Sequence, residues 1–403
     1  MDKNFLEQIA GRWKTPFYLF HTDLVKEQIK KVRDAAGPSA EICYAMKANP
    51  FLIGDLAEEA DCFEVCSPGE FRICERAGIP MEKIVLSGVC KEEEDIGRIV
   101  GKYGDQITYT AESPLQWKLL QNCARRGGVR LRVLLRLSAG SQFGMDRDEI
   151  RRIVSEREEE EYLQIEGIQL FSGTQKKASG KFGREFAMLS ELLSELRRDY
   201  GFVPEKLEYG PGLPVRYFEE EEDAAERMLE ALADQLKRFD FKGKIVLEMG
   251  RFLAALCGVY VTGIEDLKSN QGQRYCIADG GIHHISYYGQ MMAMKKPPVF
   301  QWRQGTGILS QPPHREADAG FDEWTICGSL CTTNDVLVKN YPLWDLKRGD
   351  RLIFGRTGAY SVTEGLSLFL SRDLPRVILY SESEGFRIAR DSFRTDRLNW
   401  FPD

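Results

Sequence analysis

Glu41-Ile42-Cys43-Tyr44-Ala45-Met46-Lys47-Ala48-Asn49 is the stretch on which the fold turns. Residues 41–47 make a short, apolar, β-prone run, the first of a series. A doubly wound sheet would place a Gly-x-Gly-x-x-Gly turn after its first strand. Here Ala45-Met46-Lys47-Ala48-Asn49 stands in that position, without a glycine. Seven more β-rich runs follow at Asp61–Ser67, Lys83–Gly88, Gln106–Ala111, Val129–Ser138, Ile165–Gly173, Lys206–Gly212 and Lys244–Gly250, alternating with polar stretches of helical composition. Ser67-Pro68 and Ser113-Pro114 read as N-cap and first-turn pairs, and Gly78 and Gly127-Gly128 fall where helices should stop. Eight βα units occupy roughly 210 residues, about 26 apiece, which suits a (β/α)8 barrel.

Outward from that core the pattern changes. Beyond residue 258 the helical periodicity fades, and short β-prone runs follow at Val259–Ile264, Arg274–Ala278, Pro298–Trp302, Glu323–Cys327, Arg351–Phe354, Arg376–Tyr380 and Gly385–Ala389. Thr15-Pro16-Phe17-Tyr18-Leu19-Phe20 is also β-prone and is expected to pair with that C-terminal part. The expected class is therefore α/β: a (β/α)8 TIM barrel over 22–258, with 1–21 and 259–403 forming a β-sandwich or barrel domain. The length of 403 residues agrees, at roughly 150 residues per domain.

Charge and cysteine usage bound the function. Lys plus Arg number 55 against 62 Asp plus Glu, a net charge of −7, which argues against a nucleic-acid binder because phosphate backbones need a basic stripe. The runs Glu156–Glu161 and Glu219–Asp223 read as solvated helix ends. Ten scattered cysteines lack the paired spacing of a zinc site, and no apolar run is long enough for a membrane span. Without an apolar leader at Met1–Trp13, a reduced, cytoplasmic protein is expected.

Active-site residues of such barrels gather at the C-terminal strand ends. The first run ends in Lys47, either a lysine snorkelling at the rim or an amine kept neutral enough to form a Schiff base. The second ends in Glu64-Val65-Cys66-Ser67, and the sixth in Phe171-Ser172-Gly173-Thr174-Gln175. The seventh ends in Gly210-Pro211-Gly212, a tight turn able to offer N–H groups to a phosphate, or an ordinary Gly-Pro turn. Glu248 and Arg251 close the eighth as an acid and a base three apart, either a local salt bridge or a ligand pair. An amine, an anion cradle, a cation and a carboxylate are the parts that pyridoxal 5'-phosphate (PLP) needs.

With these residues in order, the chain resembles the PLP-dependent decarboxylases of the alanine-racemase fold type, which include diaminopimelate and ornithine decarboxylases. The landmarks are Y-A-M-K-A-N at 44–49, E-V-C-S-P-G-E at 64–70, F-S-G-T-Q at 171–175, G-P-G-L-P at 210–214, E-M-G-R at 248–251, and C-G-S-L-C-T-T-N-D at 327–335 with G-A-Y at 358–360. The resemblance implies that Lys47 holds PLP through a Schiff base and that Glu248 keeps the pyridine nitrogen protonated. It implies that Thr174, Gly210, Gly212, Arg251 and Tyr360 hold the phosphate, that Ser67 also contacts the cofactor, and that Phe171 lies against the ring. Cys331 would return a proton to Cα. The loop with Cys331, Thr332 and Asp335 would reach the partner's site in a homodimer.

Three departures bear on substrate. Phe171 stands where the family usually has His. Thr332 follows Cys331 where diamino-acid decarboxylases usually place an acid for the distal ammonium; Asp335 could substitute. Asp279-Gly280-Gly281-Ile282-His283-His284 replaces a stretch containing the Arg that grips the distal carboxylate of diaminopimelate, so His283 is expected to face the substrate instead. No metal site is expected, since adjacent His on a β-like segment point opposite ways. The substrate expected is an amino acid or amino-acid derivative, including a carrier-protein-bound one. Lysine-forming diaminopimelate decarboxylation, a racemase or epimerase, which Glu248 disfavours, and a non-catalytic paralogue, which Lys47, Glu248, Arg251 and Cys331 together disfavour, are the alternatives.

Overall fold

The computed structural model describes residues 1–38, 40–310 and 321–401. Contacts divide the chain into two units, Lys26–Val215 with Ala224–Leu253, and Met1–Val25 with Arg216–Asp223 and Ala254–Asp403. The segment Arg216–Asp223 follows a barrel strand in sequence but groups with the β unit. There Arg356 Nη1 donates to the Arg216 carbonyl at 2.6 Å, and Glu219 N–H to the Lys296 carbonyl at 3.0 Å.

Strand β1 (Phe17–His21) belongs to the β unit. The other unit holds β2 (Ala40–Ala45), β3 (Cys62–Val65), β4 (Ile84–Leu86), β5 (Thr108–Ala111), β6 (Leu131–Leu137), β7 (Leu163–Phe171), β8 (Lys206–Gly210) and β9 (Lys244–Met249). All eight are parallel, and β9 returns to β2 through Ala40↔Ile245 to Tyr44↔Met249, so the barrel is closed. The eight expected runs are these eight strands. The helix breaks also fall where the sequence put them: the Ser67 and Ser113 hydroxyls accept from Glu70 and Gln116 N–H, and Gly78 and Gly128 end their helices at φ of 67° and 62°.

Side chains alternate along a strand, so residues two apart share a face. Cys43, Cys62, Val85, Leu134 and Val246 form a buried apolar plug across the barrel. Two residues further along three of these strands come Glu64, Arg136 and Glu248, at the mouth. Two residues earlier come Glu41, Arg132 and Lys244, at the floor. The barrel thus holds charge at both ends, with a mostly apolar layer between them that also contains Gln169 and Glu208.

In the β unit, β10 (Gly258–Asn270), β11 (Gln273–Ala278), β12 (Val299–Arg303), β13 (Gly307–Ser310), β14 (Phe321–Cys327), β15 (Val336–Trp344), β16 (Arg351–Gly355), β17 (Arg376–Ser381) and β18 (Gly385–Arg390) join β1 in one sheet system. Strand β1 lies between β10, antiparallel, and β17, parallel. Phe17, Leu19, Val259, Val261, Ile353 and Ile378 pack with Leu6 and Ile9 of the helix Lys3–Ala10. Strand β15, which contains Pro342, is not among the runs expected from the sequence. Among the described residues it pairs only with β14, and at an edge a missing N–H costs no ladder bond. Among the described residues no helix is long and apolar enough to cross a membrane.

Candidate active site

Lys47, expected as the last residue of the first strand, lies two residues past the end of β2, in the single 3-10 turn Met46–Ala48. It is the exposed residue in a buried stretch: Met46 and Ala48 on either side are fully buried. The turn is held against the end of β9 because Gly250 has no room for a side chain. A Cβ there would lie 2.7 Å from Ala48 Cβ and 2.9 Å from the Ala45 carbonyl oxygen.

The Lys47 amine meets three groups. Nζ donates to Glu64 Oε2 in a close ion pair, to Glu248 Oε1 at 3.3 Å, and lies 3.9 Å from Cys66 Sγ. Both carboxylates are buried. Burial by itself would lower the Lys47 pKa, but the charges of Glu64 and Glu248 outweigh it and hold the amine well above the usual lysine value. This corrects the expectation of an amine kept neutral: with two carboxylates against it, the group is an ammonium. Burial likewise pushes Glu64 up, yet the Lys47 charge prevails and holds it well below the usual carboxylate range. Glu248 goes the other way, raised well above its usual value by burial and then by the Glu64 charge. The setting therefore favours the ammonium form of Lys47 and puts a shared proton on Glu248 in preference to Glu64. The reciprocal shifts of Glu64 and Glu248 are what two like charges sharing one cation must produce.

Around them, Arg136 is buried and ion-pairs with Glu112 at 2.9 Å. Phe171 ends β7 in register with Gly210, and a Cβ on Gly210 would fall 2.4 Å from the Phe171 ring. Gly212 has φ of +62°, and a Cβ there would meet the Gly173 carbonyl oxygen at 2.0 Å. The loops holding Thr174 and Gly212 are therefore in backbone contact, and only glycine permits it. Arg251 opens the short helix after β9. The Ser67 hydroxyl accepts the Glu70 N–H at 3.1 Å as a helix cap, which leaves its own O–H free to donate elsewhere.

Sequence reasoning placed Lys47, Ser67, Phe171, Thr174, Gly210, Gly212, Glu248 and Arg251 at these strand ends. It quoted Glu64 within a motif without giving it a role. The signal was present: Glu64 is an acid at the inward, penultimate position of β3, in register with Ala45 of β2, two residues before Lys47.

The other expected residues lie in the β unit. Cys331 is exposed, in the turn between β14 and β15, followed by Thr332. Tyr360 has φ of +66°, and its carbonyl accepts from Thr363 and Glu364 N–H. Asp335 departs from the expectation that it could bind an ammonium: it is buried, and its carboxylate is taken up by Ile282 N–H at 2.8 Å and Leu330 N–H at 2.7 Å. It shapes the loop around Cys331. Asp335→Ala is expected to lower stability by about 2–4 kcal/mol, read as a drop in the urea midpoint, with Asp335→Asn intermediate. His283 is also buried, and neither ring nitrogen has a hydrogen-bond partner among the described residues. Burial, then the charges of His284 and Arg372, push it down to about 3, so it is neutral. The His pair sits in a turn, and its rings lie 3.7 Å apart instead of pointing to opposite faces.

The barrel residues fit PLP by donor chemistry. An amine for the aldehyde, a proton-bearing carboxyl for the ring nitrogen, an aromatic face and a pair of glycine-bounded loops with a nearby cation all lie at the strand ends.

Residues 22–255 match the family model described as pyridoxal-dependent decarboxylase, pyridoxal binding domain. A diaminopimelate decarboxylase from Aquifex aeolicus is 26% identical over 373 residues, covering 88% of this chain and 84% of that protein. An L-glutamyl–acyl-carrier-protein decarboxylase from Niallia circulans is 26% identical over 407 residues, covering 94% and 92%. A crystal structure of an Aquifex aeolicus protein superposes with a TM-score of 0.82 at 26% identity, covering 98% of this chain and 93% of that one.

Proposed function

Because the chain belongs to the pyridoxal-dependent decarboxylases, we propose that Lys47, Glu64 and Glu248 form its reaction centre. The protein is a PLP-dependent amino-acid decarboxylase of the alanine-racemase fold type. The observation that supports the proposed centre is the Lys47 amine set between two buried carboxyl groups, Glu64 and Glu248.

PLP, when bound, supplies an electron sink for the pair left on Cα as CO2 departs. The chain's residues do the rest. Lys47 holds the cofactor and must give up a proton to do so; Glu64, already ionised, keeps the countercharge in place. Glu248 brings a proton to the ring nitrogen and retains it there, as a carboxylic acid buried beside another carboxylate can. Phe171 packs against the ring, where a histidine would add a proton site. Thr174, Gly210, Gly212 and Arg251 hold the phosphate, and the Ser67 hydroxyl donates to the cofactor. Cys331 delivers a proton to Cα, across the interface of a homodimer to which the β domain (1–21 and 259–403) contributes.

The proposed substrate is an amino acid without a distal ammonium, free or attached to a carrier protein. Thr332 offers no charge to an ammonium, and the Asp335 carboxylate is already bonded to two backbone donors. Leaving such an ammonium unpaired in a desolvated site would cost a few kcal/mol, roughly two powers of ten in rate. The Niallia circulans relative carries a name in which the substrate is glutamyl bound to an acyl-carrier protein. Release of CO2 measured across free lysine, diaminopimelate and glutamate, and a glutamyl thioester, should favour the last two. Turnover of lysine or diaminopimelate at ordinary enzyme rates would overturn this choice.

A further inference from the structure

One buried carboxylate of the barrel has no part in the centre described above. Glu208 on β8 is fully buried, level with the apolar plug. In register it faces Gln169 on β7 and Val246 on β9, two residues before Glu248, which sets it one side-chain layer beneath Glu248. Its Oε1 accepts from Gln169 Nε2 at 2.6 Å, and its Oε2 has no hydrogen-bond partner among the described residues. On its other side Glu208 lines a cavity of about 370 Å³ at the barrel floor, together with Glu41, Thr108, Arg132, Lys206 and Lys244. A single amide donor does not offset the desolvation of a carboxylate. Packing alone would be better served by Gln or Leu.

We propose that Glu208 is a positioning residue, a proton store between the floor cavity and the mouth whose ionisation sets how firmly Glu248 keeps its proton. This rests on the reading of Lys47, Glu64 and Glu248 as the reaction centre. The groups facing Glu208 are Glu64, Glu248 and Lys47 above, the thiols of Cys43 and Cys62 and the amide of Gln169 at its level, and Lys206, Arg132, Lys244 and Glu41 around the floor cavity. Burial, then the Glu64 charge, push Glu208 up; Gln169, Lys206 and Lys47 pull it back, to about 7. The influence is mutual, since a negative Glu208 is one of the charges that raise Glu248. As Glu208 ionises near neutrality, Glu248 is held more firmly as the acid. The departing proton has the floor cavity beside it, so Glu208 can exchange with water while a ligand covers the mouth.

The test uses the full chain, first without cofactor. Infrared titration of the carboxylic-acid C=O stretch from about pH 5 to about pH 9 should show one buried carboxyl deprotonating near neutrality in wild type and missing from Glu208→Gln. In the PLP-loaded protein, the pH midpoint at which the proton shared by Glu248 and the ring nitrogen is lost, followed through the cofactor's absorbance, should fall by about one pH unit in Glu208→Gln and recover in Glu208→Asp. Should Glu208→Gln not fold, Gln169→Leu removes the amide donor and should move the Glu208 titration upward. A wild-type titration in Glu208→Gln, an unmoved Glu248 midpoint, or an unmoved Glu208 titration in Gln169→Leu overturns the proposal. Failure of the reaction-centre reading would look different: Lys47→Ala would still turn over, whatever the apo-protein titration shows.

Discussion

Lys47→Ala is expected to lower turnover by about 10⁴-fold or more and to remove the absorbance band at about 420 nm that marks PLP joined to a lysine. The same substitution has a structural consequence, because the amine is also the countercharge of Glu64. Breaking a fully buried pair costs about 3–5 kcal/mol. The Lys47 side chain is 40% exposed, so water screens part of the loss, and the apo-protein should lose about 1–2 kcal/mol. The sign with pH follows from Glu64. Its folded-state pKa is depressed, so its stabilising contribution is complete above the ordinary carboxylate value of 4.5 and is lost as pH falls toward about 2. The difference between wild type and Lys47→Ala should therefore be constant at neutral pH and shrink in acid. Lys47→Arg separates the two roles: the guanidinium keeps the charge and most of the stability, yet cannot give up a proton to bond the cofactor. A band that survives Lys47→Ala would mean that another amine holds PLP.

The barrel was legible because it is written locally. Eight apolar runs at a regular spacing, punctuated by Ser-Pro starts and Gly stops, leave few folds open, and the missing glycine turn after Tyr44 removes the doubly wound one. Strand β15 was not legible, since Pro342 argues against a strand until its edge position is known. Within the site, Lys47 and Glu248 could be named from their places at strand ends. Their charge states could not. The protonation of Lys47 depends on Glu64, 17 positions away, and on Glu248, 201 positions away, and only barrel closure brings the three together. The same holds for Asp335. As a sequence letter it could replace the acid missing at Thr332, but its carboxylate is buried and turned to two backbone N–H groups of the loop. Adjacent His283 and His284 misled in another way: alternation is a rule for strands, and they lie in a turn.

Glu248→Gln is the substitution in which structure and chemistry should part most clearly. In the apo-protein Glu248 is held as the neutral acid, and Gln is close to an isostere of that form, so folding should survive intact. Stability should even rise with pH relative to wild type. A carboxyl whose folded pKa lies above its unfolded value keeps its proton when folded and loses it when unfolded. Wild-type stability therefore falls as pH climbs from about 4.5 toward the raised value, a penalty that Gln lacks. Activity should go the other way. An amide cannot supply and retain a proton at the ring nitrogen, and that proton matters most when the electron pair of the broken C–C bond is developing. Such a transition-state interaction is expected to lower kcat by about 10²–10³-fold while changing KM only a few-fold. Melting temperatures against pH and steady-state kinetics on one preparation read both arms. An unchanged kcat would remove Glu248 from the ring nitrogen. A loss of stability at neutral pH would instead mean that Glu248 is the ionised partner of Lys47, with Glu64 as the acid.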